Sequence, residues 1–171
     1  SYQWKKNGVN ISDERGYGLT ILSPTTSDEA TYSVVVSNAY GSVESNSVTL
    51  AVHVPPSITT QPSSISVTEN NQLTLNVVAT GASPLLYQWK KNGICIPGAN
   101  EASYSVANSQ LSDAGSYTVV VANPYAQQTS STAVVTINTP PTITSQPVDL
   151  DVAVGDPASF SVTATGTAPL T

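Results

Sequence analysis

The chain carries few side chains able to do chemistry, and their spacing limits what they could do. Its only thiol, Cys95, stands two residues past Asn92-Gly93. That position suits an intermolecular disulfide or metal capture, or a plain surface residue beside a turn. Lys5-Lys6 and Lys90-Lys91 are the basic pairs. A lysine–asparagine amide cross-link would need a Lys, an Asn and a carboxylate buried together. Asn76 is the strand asparagine available, but alternation turns it outward, so the lysine pairs read as solvated strand ends. A calcium site asks for about six to eight oxygens. Asp149 and Asp151 are the nearest acids to Thr139-Pro140-Pro141, and on one strand face they read as guards against edge pairing. His53 lies in the linker and reads as a surface residue. Asn10-Ile11-Ser12 is a glycosylation sequon. Asp28 and Asp113 fall in corners, and no nucleophile, base and orienting group recur together. The expectation is no catalytic residue, no cofactor and no metal.

The composition points the same way. Charged residues make up 9% of the 171, with 5 basic, 11 acidic and a net charge of -6. Soluble domains average about 25% charged. Hydroxyl and β-branched residues fill the gap, and they suit pleated, half-exposed sheets better than helices. So few cations leave no footprint for nucleic acid. No apolar run approaches the roughly 20 residues of a membrane-spanning helix. One Cys and one His exclude an internal disulfide and a zinc site. Ser1-Tyr2 runs straight into QWKKNG, as in a piece of a longer chain.

The scattered residues are organised by a repeat. YQWKKNG begins at Tyr2 and Tyr87, and YSVVVSNAY at Tyr32 is echoed by YTVVVANPY at Tyr117. PPSITTQP at Pro55 matches PPTITSQP at Pro140, and ATGASPL at Ala79 matches ATGTAPL at Ala164. Each offset is about 85 residues, too long for a solenoid unit and right for a small independent β-domain. Cys95 then corresponds to Asn10, which marks its position as polar-tolerant. Strand signals alternate through the repeat. Ser64–Val67 leads to a turn at Glu69-Asn70-Asn71. Leu73, Leu75, Val77 and Ala79 share one face. Leu86–Lys91 is closed by Asn92-Gly93, a type I′ hairpin signal. Ser103–Ala107, a corner at 111–115, Tyr117–Ala122, a turn at Asn123-Pro124 and a last strand Thr129–Ile137 complete the unit. Seven or eight short strands predict an all-β protein of antiparallel sandwiches.

The order of a strand-B apolar residue, then Trp, then Asp-x-Gly-x-Tyr-x-(core residue) resembles the immunoglobulin superfamily, intermediate-set type. QWKKNG…SDAGSYTVVVAN is similar to tandem immunoglobulin-like repeats of large bacterial surface and secreted proteins. The resemblance implies roles for particular residues. Trp89, and its copy Trp4, would be the strand-C core tryptophans. Tyr117 and Tyr32 would be the corner tyrosines whose hydroxyl bonds the backbone upstream. The two sheet-bridging cysteines of the family would fall at Val77 and Val119, and the other copies have Val34 and Val162. Core packing would then replace a cross-link worth about 2–4 kcal/mol.

The same lettering cuts the chain into three. Residues 1–53 hold strands C to G, residues 54–138 a complete domain, and residues 139–171 strands A to B. The two fragments add up to one domain. Either they excerpt a continuous tandem, or residues 139–171 complete residues 1–53 of a neighbouring chain. Pro55-Pro56 and Pro140-Pro141 would stiffen nearly linkerless joints. The expected function is a structural module of an extracellular, secreted or cell-surface stalk, filament or fibre. Its partners would be neighbouring domains or identical chains head to tail. The alternative is an adhesion or carbohydrate-recognition accessory domain. Tyr40 and Tyr125, repeated in the F–G loop, are its candidate contacts with a glycan or cell-surface ligand, or else pack on a neighbouring domain.

Overall fold

A computed structural model describes residues 1–170. The chain divides into two compact units, Ser1–Val54 and Pro55–Thr171.

In the first unit, β1 (Tyr2–Lys6), β2 (Val9–Asn10), β3 (Ala30–Asn38), β4 (Gly41–Glu44) and β5 (Val48–Leu50) make one antiparallel sheet. β1 and β3 form its centre, with Trp4 opposite Val34. A 3-10 turn, Thr26–Asp28, precedes β3. Residues 16–22 follow β2 without strand structure.

The second unit opens with β6 (Ser57–Thr60), β7 (Ile65–Thr68), β8 (Leu73–Asn76) and β9 (Val78–Thr80). It continues through β10 (Leu86–Lys91), β11 (Ile94–Cys95), β12 (Ser103–Val106), β13 (Gly115–Ala122), β14 (Gln127–Thr129) and β15 (Ala133–Asn138). One sheet runs β11-β10-β13-β15-β7, with β14 also on β13, and β8 pairs β12 against it. Val67, Leu73, Leu75, Val77, Trp89, Tyr117, Val119, Val121, Val135 and Ile137 fill the space between. Their spacing of two residues within each strand puts them on the inner face.

Two strand boundaries differ from the sequence reading, each for a hydrogen-bonding reason. The alternating run through Ala79 breaks at Val77, whose N–H bonds the Ala102 carbonyl (3.0 Å). β8 then stays with β12, while β9 crosses to β6. The last strand is also two. Ser130 interrupts it, donating its Oγ hydrogen bond to the Ser131 carbonyl while accepting from the Val119 N–H (3.0 Å). β14 and β15 therefore pair different ends of β13. Asn92-Gly93 does turn as a type I′ hairpin, with φ of 49° and 82°.

Last come β16 (Thr142–Ser145) and β17 (Thr163–Thr165), paired with each other. Between them residues 146–162 hold no strand. The strand face expected to carry Asp149 and Asp151 is therefore not formed. At the matching place one period earlier, β7 pairs with β15 in parallel.

Candidate functional site

The repeat builds the same corner twice. Tyr117 Oη donates to the Asp113 carbonyl (2.8 Å), and Tyr32 Oη to the Asp28 carbonyl (2.8 Å). The Asp side chain faces the other way and closes the 3-10 turn. Asp113 Oδ2 accepts from the Gln110 N–H (2.8 Å), and Asp28 Oδ2 from the Thr25 N–H (3.0 Å). That N–H bond, more than the Thr25 hydroxyl or Lys6, holds the Asp28 carboxyl below its usual value of 3.8. Lys6 Nζ bonds the Ser27 carbonyl (2.8 Å), and Lys91 Nζ bonds that of Ser112. Lys91 also lies 5.9 Å from the Tyr117 ring centroid. The second lysine of each pair thus holds the corner, which corrects the reading of solvated strand ends. Lys5 pairs with Glu44 (2.8 Å).

Strand C carries a second device. Trp89 is 0% exposed and its indole N–H bonds the Glu101 carbonyl (2.9 Å). Tyr104 bridges it to Tyr117, with ring centroids 6.2 Å and 5.8 Å away. Gln88 Nε2 donates to the carbonyls of Trp89 (2.8 Å) and Ile96 (2.9 Å). Gln3 repeats this on Trp4 and Ile11. Sequence reasoning overlooked these glutamines, although Gln precedes Trp in both copies.

Val77 and Val119 are buried in this core. Their copies are not equivalent. Trp4 and Val34 are half-buried, and Val162 is 56% exposed. Val162 lies just before β17, which pairs with β16 in a two-stranded sheet. The joints also differ from one another. Pro56 is buried and Pro55 exposed, while Pro140 and Pro141 are both exposed. The Pro55 carbonyl and Pro56 Cα stand 3.0 Å from where a Cβ on Gly81 would lie, so Pro56 belongs to the sandwich itself.

At the F–G loops, Asn38 Oδ1 accepts from the N–H groups of Tyr40 (2.8 Å) and Gly41 (3.1 Å). Asn123 Oδ1 does the same for Tyr125 (3.1 Å) and Ala126 (3.1 Å). These turns push the tyrosines outward: Tyr40 is 97% and Tyr125 49% exposed. Cys95 is exposed on β11. Among the described residues no three His, Cys, Asp or Glu side chains gather as metal ligands.

A concavity opens in the Ser1–Val54 unit. Trp4, Leu19, Ile21, Tyr32, Val48 and Leu50 line a cleft of about 400 Å3. At the matching place in the complete repeat, Leu73, Leu75 and Val77 of the B strand fill the space against Trp89 and Tyr117.

The immunoglobulin domain model matches residues 55–123. Human hemicentin-1 is 32% identical over 183 aligned residues, covering 98% of this chain and 3% of its own length. The decoration protein of Escherichia phage T5 is 43% identical over 77 residues, which is 44% of this chain and 47% of that protein. The chain thus spans a small part of the first curated relatives it matches. Among solved structures, the I-band fragment I67-I69 of titin superposes with a TM-score of 0.75 at 20% identity, over 99% of this chain and 66% of that one. No helix among the described residues is long and apolar enough to cross a membrane.

Proposed function

The chain belongs to the immunoglobulin superfamily, and from that premise we propose that it is a structural module of an extracellular, secreted or cell-surface stalk or filament. In this reading residues 54–138 are a whole domain, and residues 1–53 and 139–171 are parts of its neighbours. Trp4, Val34, Val77, Trp89, Val119 and Val162 are core positions of the repeated bead, Tyr32 and Tyr117 its corners, and Pro55, Pro56, Pro140 and Pro141 its joints.

The observation that carries the reading is the duplication of hydrogen-bonded detail at one period. The same corner, the same glutamine clasp and the same F–G turn recur in both copies. Repetition of the same packing and turn geometry, copy for copy, serves geometry rather than chemistry. The relatives' names include a decoration protein and a muscle M-line assembly protein, both consistent with a structural role. Small-angle scattering of dilute protein tests it. A compact 171-residue globule would have a radius of gyration of about 15–16 Å. A tandem of beads gives a clearly larger value, and a value near that of the globule defeats the reading.

A recognition role is the second reading, favoured by the outward Tyr40 and Tyr125 alone. Saturable glycan binding lost in Tyr40→Ala or Tyr125→Ala would establish it; a blank glycan array removes it.

A further inference from the structure

We propose that Asn92-Gly93 is a self-modification site: the folded hairpin keeps its side-chain amide intact, and opening of the hairpin lets it convert to an aspartyl or isoaspartyl residue. The proposal stands on the β10–β11 hairpin and its contact with β13, and it is independent of the module reading.

The residue pair supplies the chemistry. Asn92 and Gly93 are both exposed, so water and hydroxide reach them. A Cβ on Gly93 would meet no atom within 4 Å, and glycine has none of its own to shield its nitrogen. That backbone nitrogen can attack Asn92 Cγ. The new N–Cγ bond closes a five-membered succinimide, the Cγ–Nδ2 bond breaks, and ammonia leaves with the proton from the Gly93 N–H. Water then opens the ring at one of its two carbonyls. Cleavage of the N–Cγ bond gives aspartate; cleavage of the original peptide bond leaves the chain running through Cγ, as isoaspartate. No oxidant or co-reactant other than water is needed.

The fold withholds the first step. The ladder between β10 and β13 ends at Lys91↔Tyr117, and Asn92 adds one further rung. Its backbone N–H donates to the Ser116 carbonyl (2.7 Å), and its Oδ1 accepts from the Ser116 N–H (2.9 Å). The side-chain carbonyl thus takes the part of a backbone carbonyl, with the carboxamide turned towards β13. It lies over Gly115, where a Cβ would stand 2.9 Å from Oδ1 and 3.1 Å from Nδ2. To meet its own Gly93 nitrogen, the carboxamide must give up the Ser116 bond. The first copy builds the same rung. Asn7, at φ 50°, donates to the Thr31 carbonyl (2.8 Å) and accepts from the Thr31 N–H (3.0 Å).

The two products are not equivalent in this turn. Aspartate keeps an acceptor for the Ser116 N–H and tolerates the φ of 49° found at Asn92. Isoaspartate adds a backbone atom to a two-residue turn, which the pairs Lys91↔Ile94 and Lys90↔Cys95 leave no room for. A transient opening is thereby made permanent.

The full chain is incubated in mildly alkaline buffer with and without guanidinium chloride, and amide loss at Asn92 is followed by peptide mass mapping. Isoaspartate is detected with an isoaspartyl methyltransferase. Conversion is at least about tenfold slower in the folded chain than in the denatured one, because it waits on local opening. Gly115→Ala, which displaces the carboxamide and leaves Asn92-Gly93 untouched, raises the folded-state rate and leaves the denatured rate unchanged. Refolded chain carrying isoaspartate at 92 melts lower than the starting chain, whereas Asn92→Asp melts close to it. Equal rates in the two states, or no conversion in either, overturn the proposal. A folded Gly115→Ala chain that converts no faster than the parent removes the clamp, and an isoaspartyl chain that melts like the parent removes the one-way step. Should Gly115→Ala fail to fold, the comparison of native and denatured parent chain still decides.

Discussion

The Trp89 side chain is held by one hydrogen bond and one ring, and the residue is 0% exposed. Its indole N–H is matched by the Glu101 carbonyl and its face by Tyr104. Trp89→Ala should cost about 3–5 kcal/mol through the cavity it opens, read from urea unfolding. Tyr117 is the other anchor. Burial first, then Tyr104 and Asp113, push its hydroxyl up to about 12 from 10.0. In the unfolded chain that hydroxyl ionises near 10, so the neutral, bonded form favours the folded state. The stabilisation is whole below about pH 10 and is lost as pH rises through about 12. Tyr117→Phe should cost about 1–2 kcal/mol at neutral pH for the lost bond to Asp113. It should also flatten the decline of stability in that alkaline window, which unfolding curves from about pH 8 to 12 would show.

Elements in this chain are set by where pairing is interrupted. Val77 and Ser130 divert backbone bonds and so split strands B and G, and periodicity along the chain does not register such diversions. Glycine marks another interruption. Gly81 has φ of +147°, and a Cβ there would lie 3.0 Å from the Pro55 carbonyl oxygen and from Pro56 Cα. Gly93, at φ +82°, faces open space. Gly81→Ala should therefore destabilise by about 1–3 kcal/mol or more, from strained backbone plus displacement of Pro56. Gly93→Ala should cost about 1 kcal/mol, from backbone alone. Equal losses in thermal unfolding would mean that Pro56 yields freely and is no part of the sandwich.

Over the whole molecule, electrostatic support is uneven. Glu44 is bonded by Lys5 (2.8 Å) and Ser33 (2.7 Å), which hold its carboxyl below 4.5, Lys5 most. Asp28 is lowered as well, chiefly by the Thr25 N–H. Groups depressed in the folded state stabilise it above their unfolded values and stop doing so as pH falls through the folded ones. Acid should thus loosen the Ser1–Val54 unit as these two carboxyls protonate below about pH 4.5. Carboxyl titration by NMR should show the Glu44 value climbing back in Lys5→Ala. Limited proteolysis should remove residues 139–170 and cut the Ser1–Val54 unit first. A resistant fragment close to residues 55–138 should remain; uniform cutting across the chain would refute that boundary.

The immunoglobulin resemblance implied the corners at Tyr32 and Tyr117, while the amino-acid order by itself determined the all-β class, the period of about 85 residues and the hairpin at Asn92-Gly93. These depend on local turn geometry and on alternation, both written within a few adjacent residues. Tertiary structure decided which copy of each residue is buried. Val77 and Val162 occupy the same place in the same motif, yet one is core and the other 56% exposed. The lysines show the same division: a pair read as solvated ends anchors corners about 21 residues away, at Ser27 and Ser112. Burial and long-range hydrogen bonds are properties of the opposing sheet, and a strand's own residues cannot encode whether that sheet is present.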